Sequence, residues 1–318
     1  MSETQTQSNT EPQDKHELQR SEYRVRIAPL PTINIIWSHL TTLYGIYLIL
    51  SGQVGWRTLI FTWIYGLCSQ IGAHAGAHRL WSHRSYKTKL PLTLLLIWWQ
   101  TISGQNSAYE WARDHRVHHL YSETDSDPHN ASRGFFFAHI GWIMVRKHPD
   151  VIAKGKRLDL SDLENDPIVM FQYRHYKILA AILAFIGPML VPWYFWGESF
   201  HNGFVMVIVR YVVSLHMTFL VNSWAHLYGV RPYDKNISPA ETMVVALLSG
   251  GRAGIISTTV TLWHDYKSSE YGTHLYNTST LFIDTCAWLG LAYGRKTVPP
   301  HVIEKRMQRT GDGSNYRH

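Results

Sequence analysis

Apolar residues in this chain gather into runs, and four of the runs are long enough to cross a bilayer: residues 33–52 (INIIWSHLTTLYGIYLILSG), 58–75, 178–198 and 203–223. Short connections near residues 52–57 and 198–202 join them into two hairpins. The first 28 residues are polar and contain no apolar stretch of the kind a cleavable signal peptide needs, so they are expected to form a solvated tail. Lys and Arg crowd into residues 76–177 and nearly vanish from the short connections, and this asymmetry predicts that both termini and the middle segment face the cytosol. Sequons at Asn130, Asn236 and Asn277 then lie on the cytosolic side and are read as unmodified. Two further apolar runs are too short to add a crossing. Residues 90–104 (LPLTLLLIWWQTISG) predict an interfacial or buried helix, and 281–293 are expected to pack a cytosolic cap. The expected fold is an all-α integral membrane protein with four transmembrane helices under a helical cap formed by 76–177 and 224–313. The membrane domain occupies 29–313, and tails lie at 1–28 and 314–318.

Composition agrees with a membrane protein that has a large wet part: 45% of residues are hydrophobic, with 13 Trp and 18 Tyr, yet mean hydropathy is only -0.16. The only two cysteines, Cys68 and Cys286, sit inside apolar segments, which excludes a disulfide framework and a Cys-based zinc site. A formal charge of +7 favours an anionic partner, whether nucleic acid, anionic lipid or a phosphorylated small molecule. The long apolar spans and the lack of any recognisable nucleic-acid-binding motif remove the first of these.

The 19 histidines are informative through their placement. HRLWSH supplies His78 and His83, HRVHH supplies His115, His118 and His119, and NSWAH supplies Asn222 and His226. On a helix, 115, 118 and 119 share one face, as do 222 and 226, whereas a spacing of five turns 78 and 83 in different directions and suits two neighbouring metals. Each group falls at or just beyond the cytosolic end of a predicted span, where clustered ionisable residues mark function. Imidazole-rich coordination without thiolate and with little carboxylate suits iron, with zinc an alternative, and leaves open positions for dioxygen.

The stretches AGAHRLWSHRSYK, YEWARDHRVHH, YSETDSDPHN, RGFFFAHIGW, VRKHP, LVNS, AHLYG and RPYDKNI together resemble the membrane fatty acyl-CoA desaturases of the Δ9 (stearoyl-CoA) type, from about residue 40 to 313. The resemblance implies a multi-pass protein of the endoplasmic reticulum membrane. It also implies a diiron centre, electrons from cytochrome b5, and removal of two hydrogens from the middle of a saturated long-chain acyl-CoA. Oligomers with itself or with related desaturases are conceivable partners. Carried over residue by residue, it assigns His78, His115, His119 and, through a water, Asn222 to one iron, and His83, His118 and His226 to the other. It places CoA contacts at Asn106, Arg113, Asp114, Arg146 and Lys147, where cations would meet phosphates, and no catalytic residue outside the metal centre. The Trp-Arg-Asn that opens the family's first segment is replaced here around APLPTIN, so the adenine end lacks its usual partners.

The family's third histidine box, H-N-Y-H-H, is the main departure. With Asp265, Tyr266 and SSEY fixing the register, the box falls on Ile256, Ser257, Thr258, Thr259 and Val260, none of which supplies an imidazole. A rival alignment makes His264 the first member of a decayed box, with Lys267 and Ser268 in the other places, and His74, one turn before His78, is a third source of a substitute nitrogen. Two functions stay open on this reading: a desaturase working with a reduced ligand set, and a desaturase-like protein that binds acyl-CoA or a partner without redox turnover. A membrane hydroxylase on the same scaffold fits the box spacings less well.

Overall fold

The structure, a computed structural model, describes residues 24–242 and 277–314 together with Val245 and Tyr266. The positions of the missing third box, 256–260, and His264 lie outside the described residues.

Proline marks where several of the helices begin. Helix α1 (Pro29–Leu50) has Pro at its start, where the absent N–H would have found no partner and φ is already helical. After α2 (Trp56–Ile71), α3 (Leu90–Ile102), α4 (Ala108–Tyr121) and the one-turn α5 (Phe135–His139), the same device starts α6 (Pro167–Ala180). There the Asp166 carboxylate also accepts from the N–H groups of Ile168 (2.9 Å) and Val169 (3.3 Å). A π-helical turn, Ala181–Ile186, carries α6 into α7 (Gly187–Trp196), which stops at Gly197 in the left-handed region (φ 68°). Helix α8 (Phe200–Leu227) follows.

Among the described residues, three continuous stretches are long and apolar enough to cross a membrane: Pro29–Leu50, Pro167–Trp196 and Phe200–Leu227. The second begins well ahead of the expected 178, because polar residues such as Gln172, Arg174 and Lys177 on its first turns hide the helix from an apolar-run reading. The expected span 58–75 is α-helical only to Ile71, and beyond it the backbone widens into a π-helix, Gly72–Ser82. With 16 residues, α2 reaches about 24 Å, short of a ~30 Å hydrocarbon layer. The change occurs where Gly72 meets α3. A Cβ there would lie 2.2 Å from the Trp99 carbonyl carbon and 2.3 Å from the Gln100 nitrogen, so only glycine lets the two backbones touch.

Helix α8 is the axis of the molecule. Its Val205, Met206 and Val209 pack against Leu48 of α1 and Val54, and its Leu215 and Phe219 against Ile35 and Ile140. Large apolar side chains on the outer faces of α1 and α2, among them Leu40, Leu43, Tyr47, Trp63 and Ile64, are exposed, as a lipid-covered surface requires. Arg210, inside α8, is buried and donates to the carbonyls of Ile102 and Ala184, both at 2.7 Å, satisfying backbone acceptors at the end of α3 and in the π-turn. The cap has its own core, with Trp81, Leu92, Leu96 and Leu163 joined by Ile283 and Cys286 of α9 (Thr278–Trp288). A two-residue antiparallel pair, β1 (Lys87–Thr88) with β2 (Ala292–Tyr293), ties α3 to this C-terminal segment, and a last helix, α10 (Pro300–Thr310), packs near residues 231–235. Helix α3 buries Leu92 and Leu96 and exposes Leu90, Leu94 and Trp98, which suits a helix lying at an interface.

Candidate metal centre

The π-helix decides where the first histidines go. Its hydrogen bonds run from residue i to i+5, and His83 N–H bonds His78 O at 3.0 Å, so residues five apart lie one above the other. The expectation that His78 and His83 diverge rests on α-helical geometry and is corrected: their Nε2 atoms are 3.1 Å apart. Helix α4 brings up the others. It begins with a reciprocal cap in which Ser107 Oγ accepts from Glu110 N and the Glu110 carboxylate accepts from Ser107 N. One turn further on, His115 and His119 project together. His115 Nε2 is 3.0 Å from that of His83 and 2.9 Å from that of His119. Trp111 stacks on the His115 ring at 4.8 Å.

These four side chains form one group with ligand atoms within 4.8 Å of one another. Two nitrogens bound to one metal at about 2.1 Å and at a right angle stand about 3.0 Å apart, which is the spacing seen here. Burial, reinforced by the neighbouring imidazoles, holds His115 and His119 well below the usual histidine range, so both are neutral and offer lone pairs. The donor set therefore fits a first-row transition metal. His83 is gathered with His78, His115 and His119 in this geometry.

A second group, His118, Asp127 and His129, stands beside the first. His118 Nδ1 and Asp127 Oδ1 are 2.9 Å apart, the His118 and His226 rings 5.0 Å, and His226 Nδ1 meets Glu123 Oε1 at 3.0 Å. Each carboxylate thus fixes one ring nitrogen as the donor and turns Nε2 outward as a lone pair, the arrangement that orients metal-binding imidazoles. Burial would raise the Asp127 carboxyl, but the His118 and His129 imidazoles and the Glu123 N–H at 3.0 Å outweigh it and hold Asp127 well below the usual carboxylate range. Burial, reinforced by the neighbouring His118 imidazole, pushes His129 down to about 3. Glu123 keeps a left-handed backbone (φ 64°) with its N–H on Asp127. Asp127, His129 and Glu123 escape a search for histidine boxes, although all three lie in YSETDSDPHN.

Arg116, between the histidines of HRVHH, uses all five of its N–H donors. Two go to the Asp162 carboxylate (2.8 and 2.6 Å), one to Asp159 O (3.3 Å), and two to Trp81 O (2.7 Å) and Ser82 O (3.2 Å), the carbonyls that end the π-helix immediately before His83.

Both groups open on one cavity of about 210 Å³, lined also by Asn222, His74, Asn106 and Asp114 and by apolar Leu215 and Phe219. His74 is buried in its wall but is not gathered with either group. Asn222 stands one helical turn before His226 on α8. Of the expected CoA contacts, Asn106 and Asp114 reach the cavity. Asp114 is held between Arg113 Nη2, at 2.9 Å, and Lys147 Nζ, and Arg146 and Lys147 line a small neighbouring recess. Asn106 takes a left-handed backbone (φ 70°) and accepts from Gln100 Nε2 at 2.7 Å.

Apolar spans together with an imidazole cluster in the wall of a cavity that Asp114 also lines define a helical membrane protein whose side chains could hold a metal. The profile of the Fatty acid desaturase family matches residues 54–265. The chain is 50% identical to human Stearoyl-CoA desaturase, with 96% of this chain and 86% of that protein aligned, and 52% identical to Stearoyl-CoA desaturase 5 of Bos taurus (87% and 82%). It is 51% identical to an Acyl-CoA Delta12-desaturase of Acheta domesticus (92% and 82%). The chain belongs to the membrane fatty acid desaturase family, stearoyl-CoA desaturase type.

Proposed function

We propose that this protein is an acyl-CoA desaturase, an oxidoreductase that introduces a cis double bond into a saturated long-chain acyl-CoA. The observation that carries the reading is the group His78, His83, His115 and His119, whose nitrogens stand at the spacing of one metal shell at the wall of a part-apolar cavity. Iron held by this group and by the neighbouring His118 and His226, with Asn222 alongside, would supply the activation of dioxygen. The protein's own residues bind and orient. Arg113 and Lys147 offer cations to the phosphates of CoA, with Asp114 fixing both, and Leu215 and Phe219 give the acyl chain an apolar wall that excludes water. Asp127 and Glu123 hold His118 and His226 in the donor-outward tautomer.

In this reading α2 and its π-helical extension make the fourth crossing, both termini face the cytosol, the membrane is that of the endoplasmic reticulum, and cytochrome b5 delivers the electrons. A second reading, acyl-CoA binding without turnover, is favoured by one specific observation: residues 256–260 are Ile-Ser-Thr-Thr-Val where the family has its third box. Expression in cells lacking their own Δ9 activity, followed by fatty-acid analysis, separates the two. The desaturase reading expects new monounsaturated chains that disappear with His78→Ala. No product from the parent protein, together with a rise in melting temperature on adding long-chain acyl-CoA, would establish the second.

A further inference from the structure

Away from the metal groups, three histidines from three elements form an unbranched hydrogen-bonded chain. His39 Nδ1 meets Ile35 O at 2.6 Å on α1, and His39 Nε2 meets His216 Nε2 of α8 at 2.9 Å. His216 Nδ1 meets His139 Nε2 of α5 at 2.8 Å, and His139 Nδ1 meets Ser223 Oγ of α8 at 2.8 Å. Ser223 Oγ in turn lies 2.8 Å from Phe219 O. None of these histidines belongs to a group able to converge on a metal, because His216 presents different nitrogens to its two neighbours.

Counting protons shows what the chain can do. Its two ends, Ile35 O and Phe219 O, are carbonyls and can only accept. Between them stand three neutral imidazoles and one hydroxyl, each with a single N–H or O–H to give. Five links therefore share four protons, and the neutral chain always has one link with two facing lone pairs. One added proton completes every link at once. The proton enters at an imidazole bordering the empty link and moves along the chain as each successive ring changes tautomer. His139 interacts with the Phe219 carbonyl and with His39, and His216 with His139 and His39; among the described residues no carboxylate joins them, and Arg133, on the adjoining turn, is engaged over the Phe137 ring.

We propose that His39, His139 and His216 with Ser223 form a single-proton site, taking up one proton shared along the chain and thereby fastening α1 and α5 to α8 beside the cavity. The three histidines are half-buried and Ser223 is fully buried. The site stands independently of the metal reading.

The test is histidine C2 hydrogen–deuterium exchange read by mass spectrometry across pH, on the full-length protein in detergent. The proposal expects His39, His139 and His216 to titrate with one common midpoint. His216→Phe should separate His39 from His139 and move both midpoints by about one pH unit or more; His216→Gln serves if the first variant does not fold. Three unrelated midpoints, or midpoints of His39 and His139 that ignore both substitutions, overturn it.

Discussion

Replacing Arg116 with Met should loosen the protein and its metal shell together. The substitution keeps an unbranched apolar stem and removes five donors. Three carbonyls, on Trp81, Ser82 and Asp159, lose their guanidinium partner, at about 1 kcal/mol for each group left unsatisfied. Breaking a fully buried ion pair costs about 3–5 kcal/mol. The Asp162 side chain is 26% exposed and keeps Arg84 at 3.5 Å, so that cost is discounted to about 1 kcal/mol. The sum is about 4 kcal/mol, which for a chain of this size lowers the melting temperature by about 8 °C. Because two of the orphaned carbonyls directly precede His83, that imidazole should lose its register, with metal affinity falling about 10-fold to 100-fold.

Thermal unfolding in detergent and metal titration read the two effects separately, and the double variant Arg116→Met/Asp162→Leu tells them apart. Removing the stranded carboxylate should recover part of the stability. It cannot restore the Trp81 and Ser82 carbonyl contacts, so metal affinity should stay low. Arg116→Lys, with three donors, should fall between parent and Met variant in both assays. A melting temperature within 1 °C of the parent, or metal affinity that recovers in the double variant, would refute the argument.

Asp127→Asn should lower metal affinity by about 10-fold to 100-fold, measured by competition with a chelating dye, because the amide no longer dictates the His118 tautomer; unchanged affinity would count against the second group as ligands. Gly72→Ala should prevent accumulation of monodisperse protein, since the added methyl meets the backbone of Trp99 and Gln100, and normal size-exclusion behaviour would show that the approach of α2 to α3 is wrong. In the metal-free protein, His115, His119 and His129 are held neutral below their unfolded value of about 6.5. The unfolded chain then binds more protons between that value and about 3, the folded value of His129, so stability is full above 6.5 and is lost as pH falls, by up to about 1.4 kcal/mol per pH unit for each histidine. Denaturation midpoints that stay flat from pH 7 to 5 would contradict this.

What could be read from residues alone followed the physics of each signal. Apolar runs locate α1 and α8 closely because long unbroken stretches have few alternatives, and Ser107 with Glu110 announces the start of α4 as a capping box. The π-helix from Gly72 to Ser82 was not readable, because hydropathy does not distinguish i→i+5 from i→i+4 bonding, and with it went the direction of His83. Arg210 passes unnoticed in an apolar run since its partners are the carbonyls of Ile102 and Ala184, on helices distant in sequence. Asp127 and Glu123 were invisible as orienting groups for the same reason: Glu123 and His226 are joined only by the fold. The His39–His216–His139 chain likewise exists only once α1, α5 and α8 are packed.

The most direct measurement is elemental analysis of protein purified from iron-replete cells, comparing the parent with His83→Ala and His78→Ala. The account predicts bound iron, at fewer than two per chain for want of the third box, and an equal loss in the two variants because both histidines serve one shell. Protein that carries no iron, or a His83→Ala variant that keeps the parent's iron while His78→Ala loses it, would contradict the account.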